Sequence, residues 1–162
     1  MRELCGIIRG QAEASFANLE VMLMTYDRDE LVCGIPAWRY ARHIINSADK
    51  GFTDPDGHTE PPFRFNAMEN RSGKVPDDDE LLDYLGSVRQ KTYDYIDSLT
   101  DDMLYEKSGD STFTRMELIL RQLRHISMHI GMINALTVIR TDRFPMYYDS
   151  GKCRDINNRL FS

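Results

Sequence analysis

The sequence predicts an all-α fold, a four-helix bundle with a long connection between its second and third helices. Four segments carry apolar residues at three- and four-residue spacing, and no segment alternates apolar and polar residues for long enough to matter as a strand. A proline-rich stretch separates the first two segments from the last two. Four long amphipathic helices must bury their apolar stripes against one another, which is the architecture of a bundle.

The first helix spans Leu4 to Tyr26, with Leu4, Ile7, Ile8, Ala12, Phe16, Leu19, Leu23 and Tyr26 on its apolar stripe. It gives way at Asp27 to Glu30. The second opens at Pro36, whose fixed φ and missing N–H suit a first helical position, and runs to about Lys50, where Gly51 stops it. Between Thr53 and Pro76 come four prolines (Pro55, Pro61, Pro62, Pro76) and no periodicity; connections that long are often lids or crossovers.

The third helix starts at Asp77, and the carboxylates from Asp77 to Glu80 cap the positive end of its dipole. Leu81, Leu82, Leu85, Val88, Tyr95, Ile96 and Leu99 supply its buried stripe. The fourth opens on a capping box, Thr114 with Glu117, and continues to about Arg140 through Ile119, Leu123, Ile126, Ile130, Ile133, Leu136 and Ile139. A weak echo between Asp27-Arg28-Asp29-Glu30-Leu31 and Thr100-Asp101-Asp102-Met103-Leu104 suggests two helical hairpins. The aromatic C-terminal stretch, with Phe144, Tyr147, Tyr148 and Phe161, is expected to pack across the bundle.

At 162 residues the chain can bury one continuous core, so a single domain is expected over residues 1–162. With 41% hydrophobic and 28% charged residues it is too apolar for a disordered chain. The net charge of -6 argues against nucleic acid as a partner, because phosphate binding draws on clustered Lys and Arg; Arg115, Arg121 and Arg124 spread around a helix instead. No apolar run reaches the length of a membrane span, and Glu3 and Arg9 interrupt the stretch a signal peptide would need, so a cytoplasmic location is expected. Cys5, Cys33 and Cys153 form no CxxC pair and signal neither a disulfide framework nor a thiolate zinc site.

Three of the four histidines fall in predicted helices. His125 and His129 are four residues apart, so they project from one face of the fourth helix about a turn apart and can chelate a metal. His43 lies on the second helix, on one stripe with Tyr40, Asn46 and Ser47, and both helices can line one bundle interior. Three neutral imidazoles with an open position make a familiar catalytic arrangement, in which the metal activates a water or acts as Lewis acid toward a thiolate or carbonyl. A His pair at this spacing equally serves plain packing at a polar core edge.

Ile126 follows His125, so the glutamate of an H-E-x-x-H peptidase motif is missing and peptidase chemistry is disfavoured. Asp49, Tyr40 or a carboxylate of the 53–76 stretch are the candidates for a base, and Gln122 and Asn46 are placed to hold the histidine rings. His58, in the Pro/Gly-rich stretch, reads as a surface histidine.

Two segments resemble the DinB/YfiT-like superfamily of metal-dependent four-helix bundles. Pro36-Ala37-Trp38-Arg39-Tyr40-Ala41-Arg42-His43 is similar to the family's second-helix segment, and Arg124-His125-Ile126-Ser127-Met128-His129-Ile130-Gly131-Met132-Ile133-Asn134 to its H-x-x-x-H helix. The resemblance covers nearly the whole chain. It implies metal ligands at His43, His125 and His129, one divalent ion such as zinc or nickel, a long crossover between helices two and three, and a homodimer. One departure is Ile130-Gly131-Met132 after the last histidine, where many family members carry Arg-Gly-Gln. Some members resemble thiol-dependent transferases or isomerases and others are linked to stress responses. The expected function is therefore metal-dependent chemistry on a small molecule, either thiol transfer with a low-molecular-weight thiol or hydrolysis. The alternative is a non-catalytic homodimeric metal-binding or stress-related interaction protein.

Overall fold

The computed structural model describes residues 2–52, 75–149 and 159–162. The described chain is mostly helical. In order it forms α1 (Glu3–Thr25), a two-residue hairpin of β1 (Leu31–Val32) and β2 (Ile35–Pro36), α2 (Ala37–Phe52), α3 (Asp78–Ser98), a 3₁₀ turn (Asp102–Tyr105) and α4 (Arg115–Thr141). Pro55, Pro61 and Pro62, His58 and Cys153 lie outside the described residues, as does nearly all of the 53–76 connection.

The predicted capping box at the start of α4 forms, and the capping carboxylates at the start of α3 make a second one. The Asp77 carboxylate accepts from the Glu80 N–H at 2.8 Å while Glu80 accepts from the Asp77 N–H at 3.1 Å. Thr114 and Glu117 do the same at the start of α4. These bonds satisfy N–H groups that the first turn of a helix leaves without partners.

The region between α1 and α2 differs from the expectation. Leu31 pairs with Pro36 and Val32 with Ile35, and the turn between them puts Cys33 at φ 52° and Gly34 at φ 80°. Two successive positive φ angles make a type I′ turn, whose twist matches that of the strands it joins. Pro36 is therefore the last hairpin residue, and α2 opens at Ala37, its first N–H groups donating to the carbonyls of Glu30 and Arg28. Gly51 does not stop α2, which continues to Phe52. A Cβ at Gly51 would land on the Gln122 side chain of α4, so glycine there permits close approach of the two helices.

Helix directions follow from cross-helix pairs. Tyr26 bonds to Asp78 and Arg89 to Glu20, so α1 and α3 are antiparallel. Asn46 bonds to Tyr84 and Asp49 to Lys91, so α2 and α3 run the same way. Arg140 near the end of α4 donates to the carbonyl of Thr25 at the end of α1. α1 and α2 each pack against α3 and α4, which leaves α1 diagonal to α2 and α3 diagonal to α4. The pairs expected as hairpins, α1 with α2 and α3 with α4, are thus the diagonal ones and not the packed ones. Because α2 and α3 are parallel neighbours, Phe52 at the end of α2 and Asp78 at the start of α3 lie at opposite ends of the bundle.

The core centres on Phe16, fully buried, with ring centroids 6.1 Å from Phe52 and 5.9 Å from an edge-on Tyr93. Two residues placed on buried stripes by periodicity face outward instead: Ile7 is 58% exposed and Ile139 80%. The C-terminal stretch does pack on the bundle through Tyr148, whose backbone N–H and C=O both pair with the buried Asn18 side chain at 2.8 Å. Among the described residues no helix is long and apolar enough to cross a membrane.

Candidate metal centre

α2 and α4 face each other antiparallel, since Tyr40, His43 and Ser47 meet His129, His125 and Gln122 in turn. This register carries the single histidine of α2 to the pair on α4. The Nε2 of His125 lies 3.2 Å from that of His43 and 3.0 Å from that of His129, and the three possible ligand atoms all fall within 4.8 Å of one another. The rings stand nearly perpendicular in every pair, at 84° to 86°. Among the described residues these histidines form the one such group that can hold a metal ion.

The donor set fits a divalent cation. Imidazole ligands about 2.0–2.1 Å from a tetrahedral ion stand about 3.3–3.4 Å apart, within a few tenths of an ångström of the spacings here. Without a cation the same arrangement is frustrated, because only one proton can be shared along each Nε2···Nε2 contact and the remaining lone pairs face one another. The far nitrogens, Nδ1 of His125 and of His129, are buried with no hydrogen-bond partner among the described residues.

Electrostatics also keeps the imidazoles in their neutral, ligating form. Burial, followed by the charges of His125 and His43, pushes His129 down to about 4 from 6.5. Burial, then His125 and Arg42, lowers His43; burial, then Arg121, lowers His125. Each cause disfavours the imidazolium.

The predicted supporting residues are engaged differently from expectation. Asn46 donates to the Tyr84 hydroxyl at 3.3 Å, and Gln122 accepts from Ser47 at 3.2 Å, so the bonds they make go to neighbours other than the histidine rings. Both project one turn from a histidine, yet the α2–α3 and α2–α4 seams take up their polar ends. Of the candidate bases, Tyr40 packs its ring 5.7 Å from that of His129 but donates its hydroxyl to the Val32 carbonyl at 3.2 Å. Asp49 is fully buried, pairs with Lys91 at 3.1 Å and accepts from Tyr84 at 3.3 Å. Carboxylates of the 53–74 stretch lie outside the described residues. Sequence reasoning missed Tyr84 and Lys91 as the partners of α2; their spacing of seven places them two turns apart on one face of α3, which is the signal that was available. Cys5 is buried and Cys33 exposed.

No protein-family model, curated protein or solved structure matches this chain.

Proposed function

We propose that His43, His125 and His129 hold one divalent ion, zinc or nickel, and that the protein is a DinB/YfiT-like metal-dependent enzyme acting on a small molecule. The observation that carries this reading is the convergence of three buried or half-buried imidazole nitrogens, 3.0 and 3.2 Å apart, with no carboxylate or thiol in the group. An ion held by these three histidines would supply Lewis acidity, lowering the pKa of a coordinating thiol so that its proton passes to solvent without a protein base. Hydrolysis additionally calls for a general base, and the two described candidates, Tyr40 and Asp49, are committed to Val32 and to Lys91 and Tyr84. Thiol transfer from a low-molecular-weight thiol to an electrophile is therefore the leading reaction.

The same commitment of Tyr40 and Asp49 favours, as a second reading, a protein that binds its metal without turning over a substrate. The two separate in one assay. Metal-free protein is reconstituted with zinc or nickel and given a low-molecular-weight thiol with an aryl halide, and separately an activated ester. Metal-dependent thiol consumption, lost in His43→Ala, supports the enzyme. Stoichiometric metal with no turnover of either substrate supports the binding protein.

A further inference from the structure

The two helices that carry the histidines are basic in an acidic chain. α2 and α4 together hold seven Lys or Arg against two carboxylates, although the net charge of the whole chain is -6. Both carboxylates are engaged away from the histidines: Asp49 is fully buried and pairs with Lys91, and Glu117 closes the capping box with Thr114. α3, diagonal to α4, has the opposite balance, six carboxylates against Arg89 and Lys91. Charge is thus divided across the bundle, with the positive side at the metal centre.

Arg39 and Arg121 each stand one turn before a histidine, on the same face of its helix. Since α2 and α4 run antiparallel, the two arginines flank the three rings from opposite ends. Arg121 is exposed, and its charge is close enough to act on His125. Its guanidinium carbon lies 5.9 Å from the centre of the exposed Phe113 ring, and it has no ionic partner among the described residues. Three neutral imidazoles would also leave the charge of a divalent ion uncompensated.

We propose that the substrate of this centre is anionic, a thiol that bears a carboxylate, and that Arg121 pairs with that carboxylate. The inference rests on the proposed thiol chemistry and adds the charge class of the molecule that enters. A guanidinium offers a planar fork of N–H donors that matches a carboxylate, and a neutral thiol gains nothing from it. Because Arg121 is exposed, solvent screens the pair, and the discrimination it provides is modest, about fivefold at low salt.

Titration of nickel-loaded protein with mercaptohexanoate and with mercaptohexanol, followed by thiolate-to-nickel absorption, tests it. The two thiols differ only in the terminal group, and their chain is too long to close a small chelate ring on the metal. The acid is expected to bind about fivefold tighter, and the preference to fall below about twofold in Arg121→Gln and in about 0.5 M salt. Glutamine is a good helix former at an exposed position, so the variant should keep its helicity and nickel content. Arg124→Gln should retain the preference, since Arg124 is turned about 100° from His125 around the helix and Arg121 only about 40°. Equal affinities for acid and alcohol overturn the inference while leaving thiol binding at the metal intact. A preference that survives in Arg121→Gln, or that Arg124→Gln reduces as much, overturns the role of Arg121. Nickel-loaded protein that shows no thiolate absorption with either compound overturns the thiol chemistry itself.

Discussion

The Nε2 atoms of His43 and His125 stand 3.2 Å apart although 82 residues separate them in the chain. Nothing local enforces that distance. It results from the antiparallel register of α2 and α4, with Ser47–Gln122 on one side of the histidines and Tyr40–His129 on the other. The site is thus a product of bundle packing, and predictions about it divide into those on the ligands and those on the packing that presents them.

His43 is the one histidine that α2 brings to the cluster. Replacing it by alanine leaves only the pair one turn apart on α4, so zinc or nickel affinity should fall by about 100-fold or more, judged against the 10–100-fold typical of losing a mere supporting residue. Alanine favours helix, so helicity should not change. Titration calorimetry on metal-free protein checks this; unaltered affinity would mean that His43 is no ligand.

Acid should destabilise the metal-free protein through His129. Its folded value of about 4 lies below the ordinary 6.5, so between those limits the unfolded chain takes up a proton that the folded chain refuses. The contribution is fully present above about pH 6.5 and is lost as pH falls through the folded value, by roughly 3 kcal/mol from this residue. Denaturant unfolding at pH 7 and pH 4.5, in wild type and His129→Gln, measures it. The variant should lose less stability on acidification; equal losses would contradict the shift.

Metal should stabilise the fold as well as occupy it. At free metal 100 times the dissociation constant, a site present only in the folded state adds about 2.7 kcal/mol. Thermal melts with zinc and with chelator should differ accordingly in wild type and coincide in His125→Ala. A shift of the same size in the variant would place the metal elsewhere.

Asn18 ties the C-terminal stretch to α1. Its side chain both donates to and accepts from the Tyr148 backbone at 2.8 Å, in a buried setting. Asn18→Ala leaves both backbone groups without these bonds and should cost about 1–3 kcal/mol. Limited proteolysis should then cleave near Tyr148 earlier than in wild type. Unchanged cleavage and stability would show that the tether is dispensable.

Core truncation should be costlier. Phe16→Ala removes a ring packed against Phe52 and Tyr93 and is expected to cost about 3–5 kcal/mol in denaturant unfolding.

Much of this structure can be read from local signals. The two capping boxes and the periodic stripes mark α1, α3 and α4 to within a few residues, because caps and amphipathicity are written in adjacent positions. The hairpin at Leu31–Pro36 is less legible, since two-residue strands have no period to detect and only Gly34 hints at the turn. Gly51 misleads for a different reason: its value lies in what α4 brings against it, a tertiary fact. Ile7 and Ile139 fit a helical stripe by spacing, yet the bundle turns them outward. For the site, the four-residue spacing of His125 and His129 and the presence of His43 on a second helix were readable. The bonds made by Asn46, Gln122, Tyr40 and Asp49 were not, because each is taken by a neighbour distant in sequence or by the unforeseen hairpin.

The most direct test of the central claim is the metal content of untagged protein, by inductively coupled plasma mass spectrometry, for wild type and His125→Ala. His125 touches both other histidines, so its loss should take a near-stoichiometric divalent metal down to background. Wild type that carries no metal, even after reconstitution with zinc and nickel, or a variant that retains it in full, would contradict a three-histidine metal centre.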